Sequence, residues 1–146
     1  MSSHIVVGID GSKHSINAYH WALDEARRRD ADVTAVFAWE TPLIGIPGAF
    51  DREELERSAQ QFLNEQLDGE TTDSDGVTVH RVVAQGDPSA SLIEACRQSG
   101  AEMLVLGSRG RGGFAGLLLG SVGQECAANA PCPVLICKAN GDRPGF

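Results

Sequence analysis

The sequence has little positive charge. Its 146 residues include twelve Lys and Arg against twenty Asp and Glu, which gives a formal net charge of -8. Binding to nucleic acid or to an anionic membrane surface usually relies on a broad basic face. The charge balance excludes such a face and leaves room only for a local basic patch. We therefore expect neither a nucleic acid nor a membrane as a partner.

Long apolar runs are also missing. No segment approaches the roughly 18 consecutive apolar residues that a membrane-spanning helix needs. Residues 1–4 lead directly into an apolar strand pattern, which leaves no space for the basic and apolar regions of a secretory leader. We therefore expect a cytoplasmic protein.

Cysteine is scarce, and its spacing does not suggest a metal site. The four cysteines form no CxxC pair, and no set of Cys and His residues has the close spacing of a zinc site. Cysteine is often buried simply as a small hydrophobic residue. We therefore expect buried free thiols at Cys96, Cys126, Cys132 and Cys137. The histidines are scattered, and we expect solvated surface positions for His4, His14, His20 and His80.

The apolar content that is present suits one compact domain. An apolar fraction of 42% is enough to fill a single core in a chain of this length. We expect one domain over residues 1–146, with its core at about 4–137 and a loose tail at 138–146.

Apolar runs that suit strands alternate with stretches of helical periodicity. Strands are predicted at 5–9, 33–39, 77–84, 103–106 and 134–137. Helices are predicted to begin after residues 10–12, at 51, at 88 and at Ser121, with Gln124 in a capping-box position. This alternation predicts an α/β domain of the Rossmann-like type, a doubly wound, five-stranded parallel sheet with helices on both faces.

The predicted sheet places several polar and glycine residues at one edge. In doubly wound sheets, ligands bind beyond the carboxyl ends of the strands, where the strand order reverses. Asp10 follows the first predicted strand and Gly107 follows the fourth, so both lie at this edge. Residues 41–50, which contain Pro and Gly, follow the second strand and form a loop that could fold over a neighbouring site.

Residues 107–121 contain six glycines in fifteen positions. Glycine allows close backbone approach, so successive N–H groups can turn toward one anion, and the helix that follows adds partial positive charge. Arg109 and Arg111 could complete a phosphate cradle. The alternative is a flexible connector, but Phe114 and the leucines at 117–119 make the second half apolar, which a simple Gly/Ser linker would avoid.

Two familiar phosphate-binding motifs do not fit this segment. The P-loop requires a lysine that is missing here, and the dinucleotide pattern normally follows the first strand rather than the fourth. A kinase or a classical ATPase is therefore poorly supported.

The arrangement resembles the ATP-binding branch of the universal stress protein family. That branch carries the pattern G-x2-G-x9-G-[ST] after its fourth strand, and here the pattern falls on Gly107, Gly110, Gly120 and Ser121. An acidic residue after strand one and a Gly-Asp-Pro turn are also typical, and Asp10 and residues 86–88 match them. The resemblance extends from about His4 to Cys137, and it implies an adenine nucleotide alpha hydrolase-like fold.

The resemblance also implies roles for individual residues. It places Gly8, Ile9 and Asp10 at adenine and ribose, with Ala38 beside the base and Leu106 against the nucleoside. It places Gly107, Arg109 and Gly110 near the ribose and phosphates, and Gly120, Ser121 and Val122 at phosphate oxygens. The implied ligand is ATP, or ADP or AMP, with Asp10 as a Mg²⁺ contact.

Some of these residues have a second explanation. Asp10 either contacts a ribose hydroxyl or Mg²⁺, or serves only as the N-cap of the first helix. Ser121 is expected to be an N-cap whether or not it also binds phosphate.

Three classes of function remain at this point. The first is a stress-response protein that binds adenine nucleotide as a sensor or regulator. The second is a slow ATPase or autokinase in which Ser108 or Ser121 receives phosphate, although the loop shows no nucleophile and base pair and no acidic pair for Mg²⁺. The third is an interaction module without nucleotide, which the intact glycine pattern disfavours.

The last predicted strand is expected at an open edge of the sheet. It is apolar, so a partner strand would cover it. The family resemblance implies a homodimer in which Val134, Leu135 and Ile136 pair across a two-fold axis.

Overall fold

The computed structural model describes residues 3–40, 51–70, 76–109 and 119–138. Its strands are β1 (Ser3–Gly8), β2 (Ala31–Trp39), β3 (Val79–Gln85), β4 (Met103–Gly107) and β5 (Val134–Cys137). Its helices are α1 (Lys13–Arg29), α2 (Arg52–Asp68), α3 (Pro88–Ser99) and α4 (Ser121–Asn129). Strands and helices alternate as the apolar periodicity predicts.

The strands form one parallel sheet in the order β3-β2-β1-β4-β5. The predicted fold class is confirmed. The chain fills one side of β1 with β2 and β3, then crosses to the other side for β4 and β5. The strand order therefore reverses between β1 and β4, which is where doubly wound sheets bind their ligands.

Each face of the sheet is covered by its own pair of helices. α1 and α2 bury Leu23 and Leu63 against one face, and α3 and α4 bury Leu92 and Cys126 against the other. These side chains are at most 4% exposed, so each face has a dry core. Within the described ranges, no helix is long and apolar enough to cross a membrane.

The two edge strands differ in how far their residues are buried. β3 alternates between part-buried and exposed residues over most of its length, as predicted for a strand with one face open to solvent. β5 is part-buried until Cys137, which is buried.

The cysteines are free thiols. Cys96, Cys126 and Cys137 are buried as expected, whereas Cys132 is only partly buried. Burial raises the pKa of the Cys96 and Cys137 thiols to about 12. Because the thiolate is the reactive form, these two side chains are inert at neutral pH.

The expectation of solvated histidines is wrong for most of them. His20 is 6% exposed, because α1 packs it inward, and its Nε2 lies 2.8 Å from Glu70 Oε2. His14 is half-buried and hydrogen-bonded to Ser108. His4 is also half-buried, with its Nε2 at the Thr34 hydroxyl. His80 alone of the four is exposed.

His4 and His80 form a stacked pair on one face of the sheet. Their ring centroids lie 5.8 Å apart with an interplanar angle of 17°. Asp32 Oδ2 lies 3.2 Å from Nε2 of His80. Burial, with the charge of His80 as a second cause, lowers the pKa of His4 below its ordinary value, and Asp32 opposes this only in part.

The lowered pKa of His4 predicts a loss of stability in acid. As the pH is lowered through the ordinary pKa of 6.5, the unfolded chain takes up a proton at His4 that the folded chain resists. The free energy of unfolding therefore decreases as the pH decreases. His4→Gln keeps a partner for Thr34 and should reduce this fall. Urea unfolding of both proteins at about pH 7 and about pH 5 measures the difference. Equal decreases in the two proteins would contradict the prediction.

Candidate functional site

A crevice lies where the strand order reverses. The β1–β4 ladder ends at the pair Val7 and Val105. Beyond it, β1 follows β2, because the Ile9 N–H donates to the Val36 carbonyl at 2.9 Å. β4 instead stays paired with β5 as far as Gly107. The two central strands therefore part at their carboxyl ends, and the residues that follow them face each other.

Asp10 organises the turn between β1 and α1. Its Oδ1 accepts hydrogen bonds from the Ser12 N–H at 2.9 Å and the Ser12 hydroxyl at 2.6 Å. The Ser12 hydroxyl in turn accepts the Ser15 N–H, so Ser12 is the N-cap of α1. The alternative of Asp10 as N-cap is wrong, because Gly11 at φ 85° carries the chain through a turn before the helix begins.

The two carboxylate oxygens of Asp10 differ in their hydrogen bonds. Among the residues that the structure describes, the hydrogen bonds to this side chain all end on Oδ1. The Asp10 N–H donates to the Ser15 hydroxyl at 3.2 Å, which fixes the backbone as well. The carboxylate is therefore held rigidly at the end of β1.

Gly107 allows α1 to approach the end of β4. A Cβ at this position would lie 2.5 Å from His14 Cβ, 2.7 Å from the His14 carbonyl carbon and 2.9 Å from the Ser15 nitrogen. Contacts this short do not occur in real structures, and two of them involve backbone that cannot turn aside. Gly107 is thus required by packing, whatever it contacts in a ligand.

That approach brings His14 to Ser108. The Ser108 hydroxyl and His14 Nδ1 lie 2.9 Å apart. The sequence did not indicate that these two residues form a pair, because 94 positions separate them. The loop itself shows no nucleophile and base pair, and the histidine that meets Ser108 at hydrogen-bond distance comes from α1.

The backbone of Ser108 joins three elements. Its N–H donates to the Cys137 carbonyl at 2.7 Å, and its carbonyl accepts the Gly120 N–H at 2.7 Å. The second bond holds the start of α4 beside the end of β4. Arg109 follows and makes contacts of its own. Gly110 and Arg111 lie outside the described residues, so their predicted roles stay predictions.

α4 begins without a side-chain cap. Its N-cap is Gly120, at φ -71° and ψ 169°, and Ser121 is the first helical residue. The expectation of Ser121 as N-cap is therefore wrong. Gln124 does not complete a capping box, because its amide donates to the Leu119 carbonyl at 2.9 Å. The first N–H groups of α4 thus have no side-chain partner from the N-cap, which is the arrangement that suits an anion.

α3 helps to hold α4 in place. Asp87 caps α3 by accepting the Ala90 N–H at 3.0 Å, and α3 begins at Pro88, as the sequence predicts. The Ser89 hydroxyl lies 2.6 Å from Asp87 Oδ2 and 2.6 Å from Glu125 Oε2 on α4. The Ser89 hydroxyl lowers the pKa of Asp87, with the Ala90 N–H as a second cause.

The remaining predicted residues lie around the same edge. The side chains of Leu106 and Leu92 fill the space above Gly8, where an added Cβ would come within 2.9 Å of Leu106 Cδ2. Ala38 lies on β2 two residues beyond Val36 and is part-buried. Val122 packs against the α3–α4 core. Ser12 and His14 also lie at this edge, and the sequence analysis did not select them as site residues.

Comparison with known proteins identifies relatives over nearly the whole chain. The model of the universal stress protein family matches residues 1–138. A universal stress protein of Mycobacterium tuberculosis is 38% identical over 134 residues, which are 92% of this chain and 44% of that protein. A relative from Mycolicibacterium smegmatis is 39% identical over 138 residues, 92% of this chain and 45% of that protein. The chain therefore spans less than half the length of these relatives.

Solved structures show the same fold. A universal stress protein in complex with cAMP has a TM-score of 0.67 at 24% identity, covering 95% of this chain and 98% of its own. The universal stress protein from Archaeoglobus fulgidus in complex with dAMP has a TM-score of 0.67 at 18% identity, covering 94% and 98%.

Proposed function

The chain belongs to the universal stress protein family, and on that premise we propose that it binds an adenine nucleotide in the crevice between β1 and β4. ATP, ADP and AMP are the candidate ligands. The observation that carries the proposal is the start of α4, whose N-cap makes no side-chain hydrogen bond and which Ser108 holds beside the parted strands. Two solved structures of the same fold contain adenine nucleotides, cAMP and dAMP, which supports this choice of ligand class.

The nucleoside end of the ligand would lie over β1 and β2. Ala38 would lie beside the base and Leu106 against the nucleoside. Gly8 and Ile9 would contribute backbone groups, since leucine side chains fill the space above Gly8 and the Ile9 side chain is buried in the core. The Asp10 carboxylate is fixed through Oδ1, so Oδ2 is available to a ribose hydroxyl or to Mg²⁺.

The phosphates would lie at the start of α4. The N–H groups of Ser121 and Val122 belong to the first helical turn, where backbone donors lack intrahelical partners and the helix dipole is positive. The Ser121 hydroxyl adds a donor. Gly120 adds its lack of a side chain. We assign Arg109 and Gly110, which come next in the sequence after β4, to the ribose and phosphates of the same ligand.

The role that follows from this site is that of a sensor or regulator in a stress response. A bound nucleotide would bridge β1, β4 and α4, so occupancy would change how firmly these elements hold together.

Fast phosphoryl transfer normally uses a lysine and paired acidic ligands for the metal. Asp10 is the acidic residue that the described part of the crevice contributes. We also propose a cytoplasmic location and a homodimer through β5.

Ser121→Pro removes both the backbone N–H and the hydroxyl that we assign to the phosphates. Because a charged phosphate oxygen loses its hydrogen-bond donors, we expect nucleotide binding to weaken by about tenfold or more. Proline is tolerated at the first helical position, and Gly120 already has the extended conformation that a following proline requires. Ser121→Ala, which removes only the hydroxyl, should lose less. Isothermal titration with ATP and ADP measures all three proteins.

Arg52→Pro is the matched control. Arg52 is the exposed first residue of α2, and its N-cap Asp51 is also extended, so the substitution makes the same backbone change away from α4. We expect its affinity to equal that of the unaltered protein. Equal affinities for Ser121→Pro and Arg52→Pro would reject the phosphate site, and no heat at millimolar nucleotide with the unaltered chain would reject nucleotide binding altogether.

A further inference from the structure

We propose that Cys132 and Cys96 form a redox pair, in which a hydroperoxide oxidises Cys132 and Cys96 then closes a reversible disulfide with it. The pair belongs to the core between the sheet and the helices α3 and α4. It uses none of the residues that we assign to the nucleotide. The inference therefore adds a modification site to the protein and does not depend on the proposed function.

Three of the four cysteines come together in this core. Cys96 lies on α3 and Cys126 on α4, and Cys132 packs against the same cluster from the segment between α4 and β5. A side-chain hydrogen bond joins the thiols of Cys96 and Cys132. A disulfide forms only between cysteines that lie this close together. The fold thus brings two thiols into contact from elements that are distant in the sequence.

The two thiols of the pair differ in exposure. Cys132 is part-buried, so a small oxidant can reach it from the solvent. Cys96 is 1% exposed, and it lies behind Cys132 in the core. Cysteines that sense oxidants are accessible to solvent and often lie next to a second cysteine that resolves the oxidised sulfur. This difference assigns the reaction with the oxidant to Cys132 and the resolving step to Cys96.

The segment that carries Cys132 is held on both sides. On one side, the Ala130 N–H donates to the Cys126 carbonyl at 2.8 Å. On the other side, the Pro133 carbonyl accepts the Leu104 N–H at 2.9 Å. Prolines at 131 and 133 restrict the backbone further, because their rings fix φ. The thiol of Cys132 is therefore held beside its partner on α3.

Contact with Cys132 compensates for the low reactivity of Cys96. Burial raises the pKa of the Cys96 thiol from 9.0 to about 12, which lowers its thiolate fraction about 1000-fold. Cys96 is therefore inert toward reagents in solution. A well-placed neighbouring group, however, reacts at an effective concentration of about 10⁵ M or more. This gain exceeds the loss, and a more basic thiolate is also the stronger nucleophile.

The reaction balances with a hydroperoxide as the oxidant. The Cys132 thiolate attacks one peroxide oxygen, so an S–O bond forms, the O–O bond breaks, and the displaced oxygen leaves as water or an alcohol with the thiol proton. Cys96 then attacks the Cys132 sulfur, so the S–S bond forms, the S–O bond breaks, and a second water leaves with the Cys96 proton. The two thiols lose two electrons, which reduce the peroxide. A dithiol restores both thiols by exchange.

A purely structural role for these cysteines predicts a different product. A cysteine with no resolving partner is oxidised stepwise from the sulfenic to the sulfinic and sulfonic acids, and the last two are not reduced by thiols. A resolving thiol prevents this, because the disulfide forms before a second peroxide reacts. The product at Cys132 therefore distinguishes a redox pair from cysteines that only fill the core.

The experiment treats the reduced full chain with a small excess of hydrogen peroxide, and N-ethylmaleimide then blocks the remaining thiols after denaturation. Intact mass spectrometry should show two blocked thiols in place of the four of the reduced protein. Digestion without a reductant should yield two peptides joined through Cys96 and Cys132. Dithiothreitol should restore all four thiols.

Three variants test the roles within the pair. Cys96→Ala should prevent the bridge and leave Cys132 as a sulfenic acid, which dimedone traps in about tenfold higher yield than in the unaltered protein. Cys132→Ala should retain its three remaining thiols. Cys137→Ala is the control, because Cys137 is buried in the core on the opposite face of the sheet. It should form the same bridge as the unaltered protein.

Several results would overturn the inference. They are four unreacted thiols after peroxide treatment, sulfinic acid at Cys132 without a bridge, a bridge through Cys126 or Cys137, and a bridge between two chains. None of them affects nucleotide binding, which titration calorimetry measures separately. If Cys96→Ala does not fold, the peptides of the unaltered protein still decide which cysteines are joined.

Discussion

Gly107→Ala is expected to lower the free energy of unfolding by about 3 kcal/mol, because it overpacks a contact between a helix and the sheet. The added methyl would lie 2.5 Å from His14 Cβ and 2.7 Å from the His14 carbonyl carbon. The helix backbone cannot turn aside as a flexible side chain would. α1 must therefore shift away from β4, and its displacement disturbs the core that Leu23 fills from the same helix.

Gly69→Ala is the matched control for this prediction. Gly69 follows α2 with φ -68°, and a Cβ there would meet nothing within 4 Å. Replacing such a glycine should change stability by less than about 1 kcal/mol, in the favourable direction if at all. Thermal unfolding measures both variants, and the Gly107 variant should melt about 6–12 °C lower than the unaltered protein. Similar melting of the two variants would contradict the clash.

This contact changes how the glycine-rich segment is understood. The sequence alone suggests that its first glycine exists to approach a ligand, and the family resemblance implies a ribose or phosphate contact. The approach of α1 already requires a glycine at position 107. Gly107→Ala should therefore unfold or distort the protein with or without nucleotide, and loss of binding in this variant alone would say nothing about direct contact.

The fold could be predicted from local patterns because its elements are nearly all amphipathic or fully apolar. β4 is a buried apolar run, and the Asp87 cap with Pro88 makes the start of α3 unambiguous. The helix starts at the crevice were harder. Asp10 and Ser12 are both good N-caps, and only the left-handed turn at Gly11 decides between them.

The chemistry of the crevice was only partly predictable. Asp10 and Gly107 stand out because they lie at the carboxyl ends of predicted strands, and Gly120 stands out because it belongs to the glycine-rich segment before a predicted helix. His14 lies within a predicted amphipathic helix, where nothing in the local pattern marks it as a site residue. Its partner Ser108 is 94 positions away. Such a pair forms only because α1 lies close to β4, and local periodicity in the sequence does not predict that distance.

Ile136→Pro is expected to convert the proposed homodimer to a monomer. The Leu104 N–H donates to the Pro133 carbonyl at 2.9 Å, and the Ser108 N–H donates to the Cys137 carbonyl at 2.7 Å. Because strand backbones alternate in direction, residues 133, 135 and 137 of this segment direct their N–H and C=O groups to β4. Val134 and Ile136 direct theirs to the open edge, where a second β5 would pair.

The same alternation supplies the controls. Ile136→Ala removes most of the side chain but keeps the outward N–H, so it should remain dimeric, whereas Ile136→Pro removes a donor that only a partner strand can use. Leu135→Pro instead breaks the ladder to β4 and should lower stability. Light scattering with circular dichroism distinguishes these results. A dimer that persists in folded Ile136→Pro, or an unaltered protein that is monomeric, would count against pairing through β5 and would leave this apolar edge to a different partner.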